Sequence, residues 1–198
     1  MNQPQISIKN IGALLRPLVG LGGATVIALL CASIPTASGD PGNDNRAPHV
    51  PASLQVPDGN KVSFHANAVG VQIYTATPSP ADPSRFVWTF KAPEAVLFDN
   101  DGSVVGIHYA GPTWESESGS RVVGIRTGLA PAPVPNAIPW LLLAASTTEG
   151  PGIFEHTTYI QRVNTTGGVA PATPPTQAGQ EARVPYTAEY FFFRASRH

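Results

Sequence analysis

Turn-forming residues divide this chain into segments so short that few fold classes are compatible with it. The 198 residues include 21 Pro and 19 Gly, and the segments between them are short. Proline breaks helices and glycine weakens them, whereas both suit the turns between strands. Many of the segments are rich in Val, Thr and aromatic side chains. The composition therefore argues against a helical bundle and predicts short strands joined by many turns.

Ten segments show the alternation, or the β-branched and aromatic content, that is typical of strands. They are residues 54–56, 61–65, 69–75, 86–90, 95–98, 103–109, 121–127, 139–146, 153–163 and 184–194. By periodicity alone, residues 139–146 could also form a short helix. Phe86, Trp88 and Phe90 share one strand face, which we interpret as core. The expected architecture is all-β, a single-domain β-sandwich or small β-barrel of about ten short strands with long Pro/Gly-rich loops.

The N-terminus has the three parts of a secretory signal peptide. Lys9 and Arg16 precede an apolar core from Leu18 to Leu30, and small residues follow up to Gly39. The sequence predicts a signal peptide at residues 1–39, cleaved between positions 32 and 39. The core is shorter than the roughly 20 apolar residues that a membrane span needs. We therefore expect an exported protein, periplasmic or extracellular, with no stable membrane span after signal removal.

The single cysteine, Cys31, ends the apolar core and could carry a lipid, although Leu30 before it is larger than the usual residue there. Cleavage after Cys31 would leave a domain without disulfides or thiolate chemistry. Residues 40–51 are polar with three prolines and predict a disordered linker. Residues 52–195 are expected to form the single β domain. Charged residues make up 13% of the chain and no long basic run occurs, so nucleic acid is excluded as an expected partner.

Residues 101–120 combine two turns with a cluster of chemically useful side chains. Asp101-Gly102 predicts one turn and Gly111-Pro112 another. The candidate ligand-binding residues are His108, Tyr109, Trp114 and Glu115. They could line a pocket or supply acid–base chemistry, or they could be a buried Trp with polar groups that satisfy loop backbone. We expect a buried indole and an imidazole within reach of Glu115 or another acid.

Other catalytic chemistry has weaker signals. The metal candidates are His65, His108 and His156, each on a predicted strand but without a short spacing such as HxH. No GxSxG motif of a hydrolase nucleophile occurs. A carboxylate pair of the glycosidase type could come from Glu94, Asp99, Glu115 or Glu155. No catalytic residue is identified, and no cofactor is expected.

Four stretches carry a family resemblance: GIHYAGPTWE, IPWLLL, IQRVNTTGG and VPYTAEYFFFR. From about Pro51 to Arg194 the chain resembles the exported family called domain of unknown function 3455, found in bacteria and fungi. The resemblance implies no established catalytic residues. Some fungal members are labelled malate dehydrogenase. This chain has no GxGxxG between a strand and a helix and no alternating βα pattern, which argues against an NAD-dependent dehydrogenase.

The same resemblance points to a departure in this chain. Relatives often carry one Cys after the strand that corresponds to VQIY and another after the GG-x-AP loop. Here the two places hold Ala76 and residues 173–175, and neither has a cysteine. If the family's two cysteines pair, the resemblance implies that these two places are neighbours in the fold.

The sequence thus favours an exported, non-catalytic binding or interaction domain, with an unknown small molecule or a protein as its partner. The alternative is a secreted metal-dependent or carboxylate-based enzyme with a site around His108, Trp114 and Glu115.

Overall fold

The computed structural model describes residues 46–196, which contain a closed antiparallel β-barrel. Eight strands follow one another around the barrel in chain order. A 3-10 helix at Ala52–Leu54 precedes β1 (Asn60–Pro78), β2 (Phe86–Phe98), β3 (Val104–Tyr109), β4 (Thr113–Ser116), β5 (Arg121–Ala130), β6 (Trp140–Glu149), β7 (Thr157–Gly167) and β8 (Glu181–Ala195). The all-β expectation is confirmed. The predicted signal peptide with Cys31, and residues 40–45 of the predicted linker, lie outside the described residues.

The strand count is eight rather than about ten. Two pairs of predicted strands are continuous: residues 61–65 and 69–75 both belong to β1, and residues 86–90 and 95–98 both belong to β2. The long ladders between β1 and β8 and between β1 and β2 explain this, because an unbroken ladder carries a strand through weakly patterned residues. Pro93 lies within β2 opposite Gln72, beside a register shift that the ladder tolerates.

The remaining differences are local. Residues 54–56 do not form a strand, since the chain makes the 3-10 helix there instead. Trp114 and Glu115 belong to β4, a strand too short for its alternation to be visible in the sequence. β7 begins at Thr157, four residues later than Ile153, because residues 153–156 turn the chain. Residues 140–146 of the predicted segment belong to strand β6, so the helix alternative is wrong.

The first and last strands close the barrel. β1 pairs with β8 from Asn60–Ala195 to Thr75–Glu181, so no free edge remains along this seam. β8 carries aromatic residues on both faces, because each face packs against a different core cluster. Tyr186, Tyr190 and Phe192 belong to the main core cluster. Phe191 and Phe193 belong to a second cluster around Val163.

Phe154 belongs to an aromatic group in the interior of the barrel. It comes from the β6–β7 connection, is fully buried, and packs 4.6 Å from Phe192 and 6.1 Å from Phe64 between ring centroids. On the outer surface, the segment before β1 packs Leu54 against Ala130 and Leu142, with Val50 beside them. The amide of Gln161 donates to the Leu54 carbonyl at 2.6 Å. This part of the barrel is therefore filled and covered by the chain itself.

The expectation that Phe86, Trp88 and Phe90 form core is wrong. Phe90 is 51% exposed, and the other two are half-buried. Residues 86–90 pair only with β1, because β3 pairs with β2 no earlier than Ala95. The start of β2 therefore extends past the closed part of the barrel. Within residues 46–196, no helix has the length and apolar character needed to span a bilayer.

Candidate functional site

The β3–β4 hairpin separates the predicted site residues onto two faces. His108 lies opposite Trp114, and Ile107 lies opposite Glu115. Side chains alternate between the two faces of a strand, so neighbours in sequence point in opposite directions. His108 and Trp114 therefore face the barrel interior, where both are buried. The turn between the strands needs Gly111, whose φ of 126° disfavours other residues.

The other two residues of the predicted cluster form a surface network. The Tyr109 hydroxyl donates to the Glu115 carboxylate at 2.6 Å. Arg121 lies 4.0 Å from Glu115 and forms a second ion pair with Glu149. The hydrogen bond to Glu115 is the main cause that raises the pKa of Tyr109. The expectation that His108 lies within reach of Glu115 or another acid is wrong for Glu115, because the barrel wall lies between them, and His108 bonds to the Thr113 carbonyl instead.

His108 and Trp114 form a buried stack inside the barrel. Their ring centroids are 4.3 Å apart with planes 10° apart, and Tyr190 meets both rings edge-on at 5.1 and 5.3 Å. Trp114 is 1% exposed, so the expectation of a buried indole is confirmed. The stack and Tyr190 form one rigid aromatic group contributed by β3, β4 and β8.

His108 is held in one neutral form. Nδ1 lies 2.8 Å from the Thr113 carbonyl oxygen, which can only accept, so Nδ1 carries the proton and Nε2 is an acceptor. Burial lowers the pKa of His108 to about 3; the hydrogen bond to Thr113 opposes this shift and the charge of Arg162 adds to it. The imidazole is therefore uncharged near neutral pH.

The three candidate metal-binding histidines lie in separate places. His65 lies between Asn100 at 2.9 Å and Glu189 at 3.2 Å, with its ring against Phe191. His156 is exposed in the β6–β7 connection beside Glu155. His108 is inside the barrel. Across residues 46–196, no group of three or more His, Cys, Asp and Glu side chains is placed to hold a metal ion.

The candidate carboxylates are likewise apart. Glu94 forms an ion pair with Arg183 at 2.6 Å on the outside of the barrel. Asp99 accepts backbone N–H bonds from Asp101 and Ser103 in the β2–β3 turn. Glu155 lies in the β6–β7 connection. Each of these carboxylates has a local structural partner of its own.

A cavity of about 180 Å³ adjoins the stack, and we call it the barrel pocket. Its buried lining includes the rings of His108, Trp114 and Tyr190. Phe90 and Lys91, both more than half exposed, lie at its rim. The remaining lining residues are Pro93, Gly111, Pro112, Leu141, Leu143 and Arg162. Residues from six of the eight strands or their turns thus meet around one small space.

Arg162 gives the barrel pocket its charge. It lies on β7, opposite Leu141 of β6 on one side and Tyr190 of β8 on the other. Its Nε and Nη2 donate to the Pro139 carbonyl at 3.2 and 2.8 Å. In the described part of the chain it makes no ion pair. Sequence reasoning missed this residue, although a lone arginine two positions after Ile160 in a buried strand was a usable signal.

Three tyrosine hydroxyls lie close enough to Arg162 to interact with its charge. The hydroxyls of Tyr186 and Tyr190 are 3.5 Å apart, and burial raises the pKa of each. The Tyr74 hydroxyl donates to the Gly168 carbonyl at 2.6 Å. These groups stay neutral, so Arg162 is the charge closest to the buried stack. The barrel pocket thus combines the Arg162 cation, and the ion-paired Lys91 at its rim, with neutral aromatic surfaces.

Comparison with known proteins places the chain in one family. The family model described as "Protein of unknown function (DUF3455)" matches residues 57–194, which is most of the chain. The resemblance seen in the sequence is thereby confirmed. No curated protein matches the chain, and no solved structure matches it.

Proposed function

We propose that this chain, which belongs to the family Protein of unknown function (DUF3455), is an exported, non-catalytic protein that binds a small molecule in the barrel pocket. The observation that carries the proposal is the pocket itself, a cavity beside buried aromatic rings with one cation at its wall. The mouths of small barrels are common ligand sites, because the closed sheet holds the lining rigidly. The signal-like residues 1–39 support the export part of the proposal.

The chemistry of the lining favours binding over catalysis. His108 is a weak base near neutral pH, since its pKa lies near 3 and its ring is packed between Trp114 and Tyr190. Lys91 at the rim is paired with Glu181. Glu115, which the enzyme alternative needs beside His108, is on the outer surface. The geometry thus gives the enzyme alternative no acid and base pair in the pocket.

A fragment screen on the full exported protein tests the proposal. We expect at least one fragment to bind with NMR shifts centred on Trp114 and Leu141. Leu141→Trp should fill the pocket and weaken binding by tenfold or more. Leu129→Trp is the matched control, because Leu129 lies opposite Leu141 on the neighbouring strand but is 48% exposed and outside the pocket.

Two results would overturn this function. One is a screen in which no fragment shifts the pocket residues. The other is binding that Leu141→Trp leaves unchanged while a melting curve shows that the variant is folded.

A further inference from the structure

We propose that the ligand of the barrel pocket is a small monocarboxylate with an apolar body, and that its carboxylate binds the guanidinium of Arg162. This inference rests on the proposed binding function and names the ligand class of the same site. Four features of the pocket carry it: the charge of Arg162 without an ion pair, the fixed orientation of its guanidinium, the buried indole N–H of Trp114 without an acceptor, and the apolar walls.

The charge in the pocket lacks a partner. Arginine stays protonated at any physiological pH, and Arg162 is half-buried. Its hydrogen bonds go to neutral groups, the Pro139 carbonyl and the Tyr190 side chain, and it has no ion pair within residues 46–196. His108 and Tyr190 beside it are neutral. A sheltered cation without a counter-ion is disfavoured, so an anionic ligand would stabilise this arrangement.

The guanidinium of Arg162 is held in one orientation by hydrogen bonds to neutral groups. Nε and Nη2 both donate to Pro139 O, which orients the plane of the group. The guanidinium also makes a side-chain hydrogen bond with Tyr190, whose hydroxyl is a neutral group. A carboxylate can accept two parallel charge-assisted hydrogen bonds from a guanidinium that is oriented in this way. The contact with Pro139 thus prepares Arg162 for a planar anion.

An unsatisfied hydrogen-bond donor in the pocket also favours a ligand with acceptor groups. The indole N–H of Trp114 can only donate, and this buried group has no acceptor in the described residues. A buried donor without an acceptor is costly, and a ligand rich in acceptors would relieve that cost.

The shape restricts the rest of the ligand. The volume of about 180 Å³ equals roughly six water molecules at liquid density, or one ring with a short substituent. Phe90, Pro93, Pro112 and Leu141 give it apolar walls. A flat or short apolar body therefore fits beside the aromatic stack, with the carboxylate at the arginine end.

Benzoate and benzamide test this class, because they share a shape and differ in charge. On the full exported protein at pH 7, calorimetric titration should show benzoate binding at least about tenfold more tightly than benzamide. Arg162→Gln should remove that preference by weakening benzoate about tenfold or more while benzamide changes little. The matched control is Arg183→Gln, on the outer surface and paired with Glu94, which should change neither affinity.

The outcomes separate this inference from the function it rests on. Equal binding of benzoate and benzamide, unaffected by Arg162→Gln, would overturn the carboxylate and leave the binding function intact. Neutral fragments that bind where benzoate does not would do the same. A protein that binds no fragment, charged or neutral, overturns both. If Arg162→Gln does not fold, the ratio of the wild-type affinities for benzoate and benzamide still tests the proposal. Arg162→Lys keeps the positive charge but not the two parallel N–H donors of the guanidinium, so it should weaken the binding of benzoate.

Discussion

The imidazole of His108 lies flat on the indole of Trp114, with the ring centroids 4.3 Å apart and the planes 10° apart. The two residues are direct partners across β3 and β4, so the backbone ladder sets their contact. Tyr190 closes the group from β8. The stack therefore forms a rigid wall of the barrel pocket. The same residues line the pocket and contribute to the free energy of unfolding.

Lowering the pH should destabilise the protein through His108. Its pKa is about 3 in the folded state and near 6.5 when unfolded, so the unfolded chain binds one more proton between these values. The free energy of unfolding should therefore fall as pH drops from 6.5 towards 3, by about 1.4 kcal/mol per pH unit from this residue. Denaturant unfolding at pH 7 and pH 4 measures the loss.

The comparison variant is His108→Gln, which removes the titration and should show about 3 kcal/mol less pH dependence over that interval. His156→Gln is the matched control, since His156 is exposed and outside the barrel. Equal pH dependence in the wild type and in His108→Gln would mean that the imidazole is not held neutral.

Trp114→Ala should destabilise the fold by about 3–5 kcal/mol, because the indole is fully buried and the barrel cannot collapse around the hole. Chemical denaturation measures this. Trp88→Ala should cost clearly less, since Trp88 is half-buried under a loop. A loss below about 1 kcal/mol for Trp114→Ala would contradict its place in the core.

Two glycines should differ in their tolerance of a methyl group. A Cβ at Gly106 would lie 2.2 Å from the Glu115 carbonyl oxygen, whereas one at Gly124 would lie 3.1 Å from the rings and chains of Trp114 and Leu143. Backbone cannot move aside as side chains can. We expect Gly124→Ala to cost about 1–3 kcal/mol and to shift the tryptophan fluorescence, and Gly106→Ala to cost more. The reverse order in melting experiments would be inconsistent with the β3–β4 pairing.

Cysteines placed where relatives carry them should form a disulfide. Ala76 lies opposite Trp88, whose indole donates to the Thr173 carbonyl at 2.9 Å, so both places contact the same side chain. Ala76→Cys combined in turn with cysteine at 173, 174 or 175 should give at least one cross-linked variant. That bond closes a loop of roughly a hundred residues, worth up to about 4–5 kcal/mol in the chain-entropy model. An oxidised variant no more stable than its reduced form would tell against a paired loss of cysteines.

The mature protein should begin between Ala32 and Gly39, as the order of charge, apolar core and small residues predicts. Intact-mass spectrometry of protein recovered from outside the cytoplasm measures the start. Replacing two residues of the apolar core with arginine should keep the protein inside the cell. An intact Met1 on the recovered protein would refute the cleavage.

The sequence by itself determined the fold class, because the signals it uses are local. These signals include turn residues such as Asp101-Gly102 and the alternation along segments such as 69–75. Each acts over a few residues and does not depend on distant parts of the chain. They do not say where a strand ends when its partners continue. Whether 61–65 and 69–75 were one strand depended on β8, which lies more than a hundred residues later.

Only the tertiary structure decided the site. His108 and Tyr109 are adjacent in sequence, but side chains alternate along a strand, so His108 faces the barrel interior and Tyr109 the surface. The predicted cluster is therefore divided into two separate groups of side chains. Arg162, more than fifty residues from His108, meets the same pocket because closure of the barrel brings β7 and β8 across from β3. Burial and strand pairing depend on contacts between distant segments, and no local pattern encodes those contacts.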